Sequence, residues 1–241
     1  MKPVINVAVA LLLSLGLVAC GGGGGSTSNN NAAAVNPNLP KDDVNYIELN
    51  NSNSRSFTLE DEKEEKIEKT YTTLSAYKKN NDLIIGGLAK ERTPVSQKNE
   101  LMKLDAKYKG TTFITINGNN PQIEQRSVFF TLKDNKISGH SVKTSADDVQ
   151  VLFKETQVKE LEKSSSSPKV NYLGFEGDGN LQKAQRHLQN IKYFGEFAGQ
   201  NGEEIAGGFI ASQRPDTQPK VSGGFIATRE VAAESTPAPK Q

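Results

Sequence analysis

The clearest alternation of apolar and polar positions lies in the last third of the chain. Ile191, Tyr193, Gly195 and Phe197 share one parity, as do Ile205, Gly207, Phe209 and Ala211, and again Val221, Gly223, Phe225 and Ala227. A period of two with the apolar residues on one side is the pattern of strands with one buried face. Between the first two segments, Gly199-Gln200-Asn201-Gly202 supplies residues that tolerate positive φ. The glycines on the inward parity allow a strand to bend sharply. Three consecutive strands with glycine corners predict a closed sheet.

Reading upstream by the same rule predicts five more strands, at Leu104–Ile116, Ile123–Leu132, Ile137–Thr144, Val149–Glu155 and Val170–Gly177. Asn117-Gly118-Asn119-Asn120 and Lys133-Asp134-Asn135-Lys136 read as turns, the second as a tight hairpin, and Ser164–Pro168 as a polar loop. The expected fold is all-β, with an eight-stranded antiparallel β-barrel over residues 100–230. A barrel of this size is filled by its own side chains or holds one small ligand.

Residues 42–95 hold four shorter candidates, Tyr46–Leu49, Arg55–Leu59, Lys69–Tyr77 and Asp82–Lys90. Together they predict a small antiparallel handle sheet, set off from the barrel near Thr93-Pro94. The mixed-charge run from Glu60 to Lys69 reads as a solvated connection or a helical turn with i,i+4 pairs rather than as a binding patch.

The N-terminal segment changes the picture from fold to location. Met1-Lys2 and the apolar run Val7–Val18 form a signal peptide over residues 1–19, ending in Leu17-Val18-Ala19-Cys20. This is a lipobox, and Cys20, the only cysteine, stands where diacylglyceryl transfer and cleavage require it. Each buried methylene of an acyl chain contributes about 0.8 kcal/mol, so two or three chains on Cys20 anchor the protein to a membrane. Residues 20–41 comprise this cysteine and a Gly-, Ser- and Asn-rich tether that lacks the apolar content to fold. The tether's ends lie on the order of 25 Å apart on average. Residues 231–241 form a second polar, Pro-containing tail.

Composition then narrows the chemistry. The chain carries 29 basic and 28 acidic residues. Removing Lys2 with the leader leaves 28 of each, and this balance argues against nucleic acid or a general polyanion as partner. No nucleophile elbow, metal-ligand spacing or phosphate loop is present; the Gly run after Cys20 has no Gly-Lys-Ser/Thr ending. The expectation is a protein that is not an enzyme and carries no resident cofactor or metal. The contact residues chosen for exposure are Lys109, Arg126, Lys133, Arg186 and Phe194.

Two stretches carry a family resemblance. Phe197-Ala-Gly-Gln-Asn-Gly-Glu-Glu-Ile-Ala-Gly-Gly-Phe209, followed by a loop and a small-residue strand ending in Arg229, resembles the closing hairpin of the transferrin-binding protein B type β-barrel. Lys107-Tyr-Lys-Gly-Thr-Thr-Phe113 is similar to the opening barrel strand of the factor H-binding branch of that family of bacterial surface lipoproteins. Ala198, and the lack of a proline in the turn, depart from the family pattern. The resemblance covers about residues 100–230 and implies an outer-membrane, surface-exposed lipoprotein. Its implied partners are a host serum protein, foremost a complement regulator, and an outer-membrane lipoprotein translocator. The alternative it implies is capture of haem or of an iron-carrier protein, with His140 and His187, the only two histidines, as axial ligands.

Overall fold

The computed structural model describes residues 54–79, 82–116, 122–142, 149–163, 170–183, 186–211 and 221–230. Cys20, the tether, the tail, the strand expected at 46–49, the turn at 117–120 and the loop at 164–168 lie outside them. Twelve strands are described: β1 (Arg55–Phe57), β2 (Glu64–Glu68), β3 (Thr72–Lys79), β4 (Asp82–Ala89), β5 (Ala106–Ile116), β6 (Gln122–Lys133), β7 (Lys136–Ser141), β8 (Val149–Lys163), β9 (Val170–Lys183), β10 (Arg186–Ala198), β11 (Glu204–Ala211) and β12 (Val221–Arg229). Among the described residues a single α-helix, α1 (Lys98–Met102), links handle to barrel after a 3-10 turn at Val95–Gln97.

Strands β5 to β12 each pair antiparallel with the next, and β12 returns to β5 in register from Val221↔Ile116 to Arg229↔Tyr108. That last ladder closes the barrel, as the glycine-cornered strands predicted. The second sheet, in the order β2-β3-β4, is the handle. The hairpin between β6 and β7 turns on Asp134 (φ 50°) and Asn135 (φ 61°), the left-handed pair that a two-residue turn requires.

The barrel interior is solid with rings. Phe130 and Phe153 lie 5.0 Å apart between centroids, Phe130 and Phe225 4.8 Å, Phe153 and Tyr193 5.2 Å, Phe153 and Phe209 5.6 Å, and Phe175 and Phe197 5.5 Å. Such edge and tilted contacts add to the burial of large apolar surfaces. Inward glycines make room for them: a Cβ on Gly195 would sit 2.2 Å from the Phe175 ring. The two interior phenols keep partners, Tyr108 donating to the Gly202 carbonyl at 2.8 Å and Tyr193 to that of Lys154. Burial pushes both phenols well above their ordinary ionisation range.

The structure corrects the strand assignment in four places. β8 and β9 run on to Lys163 and Lys183, well beyond the expected ends at Glu155 and Gly177. A register irregularity between Phe153 and Val158 puts two residues five apart into the same core, so the period of two breaks there. The glycines at the expected end of β9, Gly177 and Gly179, are strand residues, and a Cβ on Gly179 would lie 2.2 Å from the Leu152 carbonyl oxygen. The charged run contains β2, where Glu65 and Ile67 are half-buried while Lys66 and Glu68 are exposed. Finally, β1 joins the barrel sheet rather than the handle. It pairs with Ile123–Gln125 of β6, which β7 leaves open because its own pairing begins at Val128. Phe57 then meets Phe113 edge-on at 5.6 Å, with the Arg55 guanidinium 4.6 Å above the Phe57 ring.

Candidate functional site

The handle lies across the outside of the barrel and buries a second apolar layer. Leu74, Ala76 and Ile85 from the handle meet Phe113, Ile123, Ala206 and Ile226 from the outer wall. β11 and β12 are therefore buried on both faces, which explains their near-continuous apolar sequence. Glycines set the distance between the layers. A Cβ on Gly87 would stand 2.1 Å from the Phe225 carbonyl oxygen, and one on Gly224 2.7 Å from the Gly86 Cα. The two backbones touch.

Two buried barrel carboxylates tie the layers together. Glu196 accepts from the Ala89 N–H at 2.9 Å and from the Arg92 Nε at 2.6 Å. Glu204 accepts from the Thr72 hydroxyl at 2.7 Å and the Tyr71 N–H at 3.1 Å. Hydrogen bonds to a charged acceptor are stronger than neutral ones, and here they cap handle groups that would otherwise be buried without a partner. The adjacent Glu203 has a different task. It accepts from both the backbone N–H and the side-chain amide of Asn201, each at 2.9 Å, holding a turn whose Gly199 and Gly202 take φ of 82° and 67°. Burial pushes the Glu203 carboxyl up, but these hydrogen bonds and Arg229 outweigh it and hold the group below its ordinary range. The Glu203-Glu204 pair in the family-like hairpin thus splits into a turn clamp and a handle anchor.

Beside this junction two grooves meet. One, of ≈ 450 Å³, extends from the outward face of the handle, at Lys66, Thr73 and Ser75, round the β4 edge to the outer barrel wall at Phe194, Gly208 and Ile210. The other, of ≈ 390 Å³, continues over β9 and β10 and is edged by Lys159, Glu176, Asp178 and Lys192. Phe194 and Ile210 belong to both. Those charges pair among themselves, Lys159 with Glu176 at 2.7 Å and Lys192 with Asp178 at 2.5 Å. An apolar floor with a rim of mixed charge is the anatomy of a protein-recognition surface.

The residues singled out from sequence are scattered over the barrel. Phe194, half-buried, is the one that lines the grooves. Arg126, expected to be exposed, is buried: it lies on the inward parity with Val128 and Phe130, pairs with Glu124 and donates to the Val149 carbonyl. Lys133 and Arg186 stand at opposite ends of the barrel, Lys133 closing β6 and Arg186 opening β10. Lys109 is on the outer wall, its Nζ 5.8 Å from the Phe129 ring centroid; the His140 ring lies 5.8 Å from the same phenyl on its other flank. His187 is exposed on β10. His140 aligns across β8 and β9 with Asn190 of β10, so three inter-strand spacings of about 4.8 Å each separate its row from the strand that carries His187. The two histidines do not converge as a pair of axial ligands. Sequence reasoning missed Glu196, Glu204 and the groove residues of β4; the one available signal was an acidic residue in each of the otherwise apolar stretches 193–198 and Glu204–Ala211.

No protein-family model matches the chain, and no curated protein matches it. Solved structures do. The chain is similar to isotype 1 transferrin-binding protein B from serogroup B Neisseria meningitidis, with 20% identity over 70% of this chain and 35% of that one and a TM-score of 0.43. It is similar to a mutant of transferrin-binding protein B from Haemophilus parasuis Hp5, with 17% identity over 74% and 37% and a TM-score of 0.49. It is also similar to HpuA from Kingella denitrificans, solved in complex with human haemoglobin, with 12% identity over 72% and 60% and a TM-score of 0.41. The chain spans between 35% and 60% of the length of these structures.

Proposed function

We propose that this protein is a non-catalytic receptor, lipid-anchored at Cys20 to the outer membrane and exposed on the cell surface, that binds a host protein. The observation that carries this reading is the aromatic core. Phe130, Phe153, Phe175, Phe209 and Phe225 fill the barrel axis, so the barrel serves as a solid support and recognition falls to its outer wall and handle. The junction offers grooves of the right character, and the lipobox and tether would hold them away from the lipid. Among host proteins a complement regulator comes first, on the resemblance of residues 107–113 to the factor H-binding branch. The haem alternative lacks comparable support, since its two histidines lie on separated strands.

The test is binding by the soluble form, residues 42–230, immobilised and exposed first to serum and then to purified complement regulators, transferrin and haemoglobin in turn. Saturable retention of one of them is expected. Failure to retain any serum protein overturns the reading.

A further inference from the structure

β4 is an edge strand with an open side. It pairs with β3 and with no other described strand. In an antiparallel ladder the residues that bond to the neighbour alternate with residues whose N–H and C=O point the other way. The Lys90 N–H donates to the Tyr71 carbonyl at 2.8 Å, which sets the phase. Leu88, Gly86 and Ile84 therefore face β3, while Leu83, Ile85, Gly87 and Ala89 direct their backbone groups outward. At Ala89 the outward N–H is met by Glu196. The stretch from Leu83 to Gly87 has no strand beside it among the described residues.

The ≈ 450 Å³ groove wraps that side, reaching from the outward face of the handle at Thr73 and Ser75 to the barrel wall. Every residue from Leu83 to Leu88 lines it, and neighbours in a strand point to opposite faces, so a surface touching all of them follows the edge itself. Its floor is the outer barrel wall at Phe194, Gly208, Ile210 and Ser222. Gly208 keeps that floor deep, since a Cβ there would project beside the Phe194 ring, 3.4 Å from its nearest atom.

We propose that this groove takes an extended segment of a partner protein, added as a fourth strand of the handle sheet beside β4. A strand supplies the backbone donors and acceptors that the outward groups of Leu83, Ile85 and Gly87 lack among the described residues; a helix, whose backbone bonds are internal, supplies none. Side chains of one parity on the added strand rest on Phe194 and Ile210 and are apolar. Those of the other parity lie beside Ile84 and Leu88 on the outward face, near Lys66, Glu68 and Lys90, and are polar or of either charge. The proposal rests on the reading of the chain as a protein receptor only for where the segment comes from.

Amide exchange measured by NMR on the soluble form tests it, with the capped peptide Thr-Val-Thr-Val-Thr-Val-Thr as probe. In the free protein the amides of Leu83, Ile85 and Gly87 exchange faster than those of Ile84, Gly86 and Leu88. Addition of the peptide, up to about millimolar concentration, slows the first set. Full N-methylation of the peptide, or Ile210→Lys in a protein that melts as the parent does, weakens binding about ten-fold or more. Absence of binding, or equal binding of the N-methylated peptide, overturns strand addition. So does protection of the outward amides before any peptide is added; a sedimenting dimer then assigns the edge to a second copy, and a monomer assigns it to the chain itself. Peptide addition with no serum protein retained sinks the receptor reading and leaves the edge assignment standing.

Discussion

At the scale of single residues, parity decides which side chains matter for what. Phe209 is buried in the barrel and touches Phe153, whereas Phe194, fifteen positions earlier on the opposite parity, faces the groove. Phe209→Ala is expected to cost roughly 3–5 kcal/mol, and Phe194→Ala much less. Denaturant melts of the two variants check the register: a larger loss for Phe194→Ala would mean that every facing assignment along β10 and β11 is inverted. The anchoring carboxylates make a sharper comparison. Both bonds to Glu204 use the same oxygen, so Glu204→Gln can keep an acceptor in place, while Glu204→Ala leaves the Thr72 and Tyr71 donors bare and costs about 1–3 kcal/mol. Glu196 uses both oxygens, so Glu196→Gln must turn an amide N–H toward either Ala89 or Arg92 and is expected to be damaging even as the conservative change. Thermal melts in which Glu196→Gln matched the parent would contradict this geometry.

At the scale of elements, the handle is expected to depend on the barrel while the barrel stands alone. The handle's apolar residues, Leu74, Ala76 and Ile85, are buried against the outer wall rather than within their own sheet, and small units bury proportionally little surface. Residues 100–230 expressed alone should give a cooperative melt, with a lower midpoint and an added apolar patch at Phe113, Ala206 and Ile226. Residues 42–95 alone should give none. A non-cooperative melt of the first, or a cooperative one of the second, would reverse the dependence. Much of this architecture was legible in the alternation of Ile191–Phe197, Ile205–Ala211 and Val221–Ala227, because a strand with one buried face writes its period directly into the sequence. What was not legible has physical reasons. The irregularity after Phe153 breaks the period, glycines placed to admit the Ile191 and Tyr193 side chains mimic a strand end in β9, and the charges of β2 mask a strand whose inward residues are only half-buried. The site was less legible still. The β4 edge is made of backbone groups, which carry no residue signature, and Arg126 looked exposed by type although its parity turns it inward.

At the scale of the whole molecule, the described parts are a solid barrel and a handle held on it by touching glycines and two carboxylates, with the open β4 edge and the grooves at the junction; the proposed receptor adds a lipid anchor at Cys20 and a tether. That arrangement suits a receptor only if the junction faces the host, so the central claim is tested on intact cells. Protease applied to living bacteria that produce the protein, with a periplasmic protein followed as an integrity control, should remove the handle and barrel while the control stays intact, and Cys20→Ala should abolish the cell-associated signal altogether. Full protection of the protein in intact cells, with digestion only after lysis, would contradict the account.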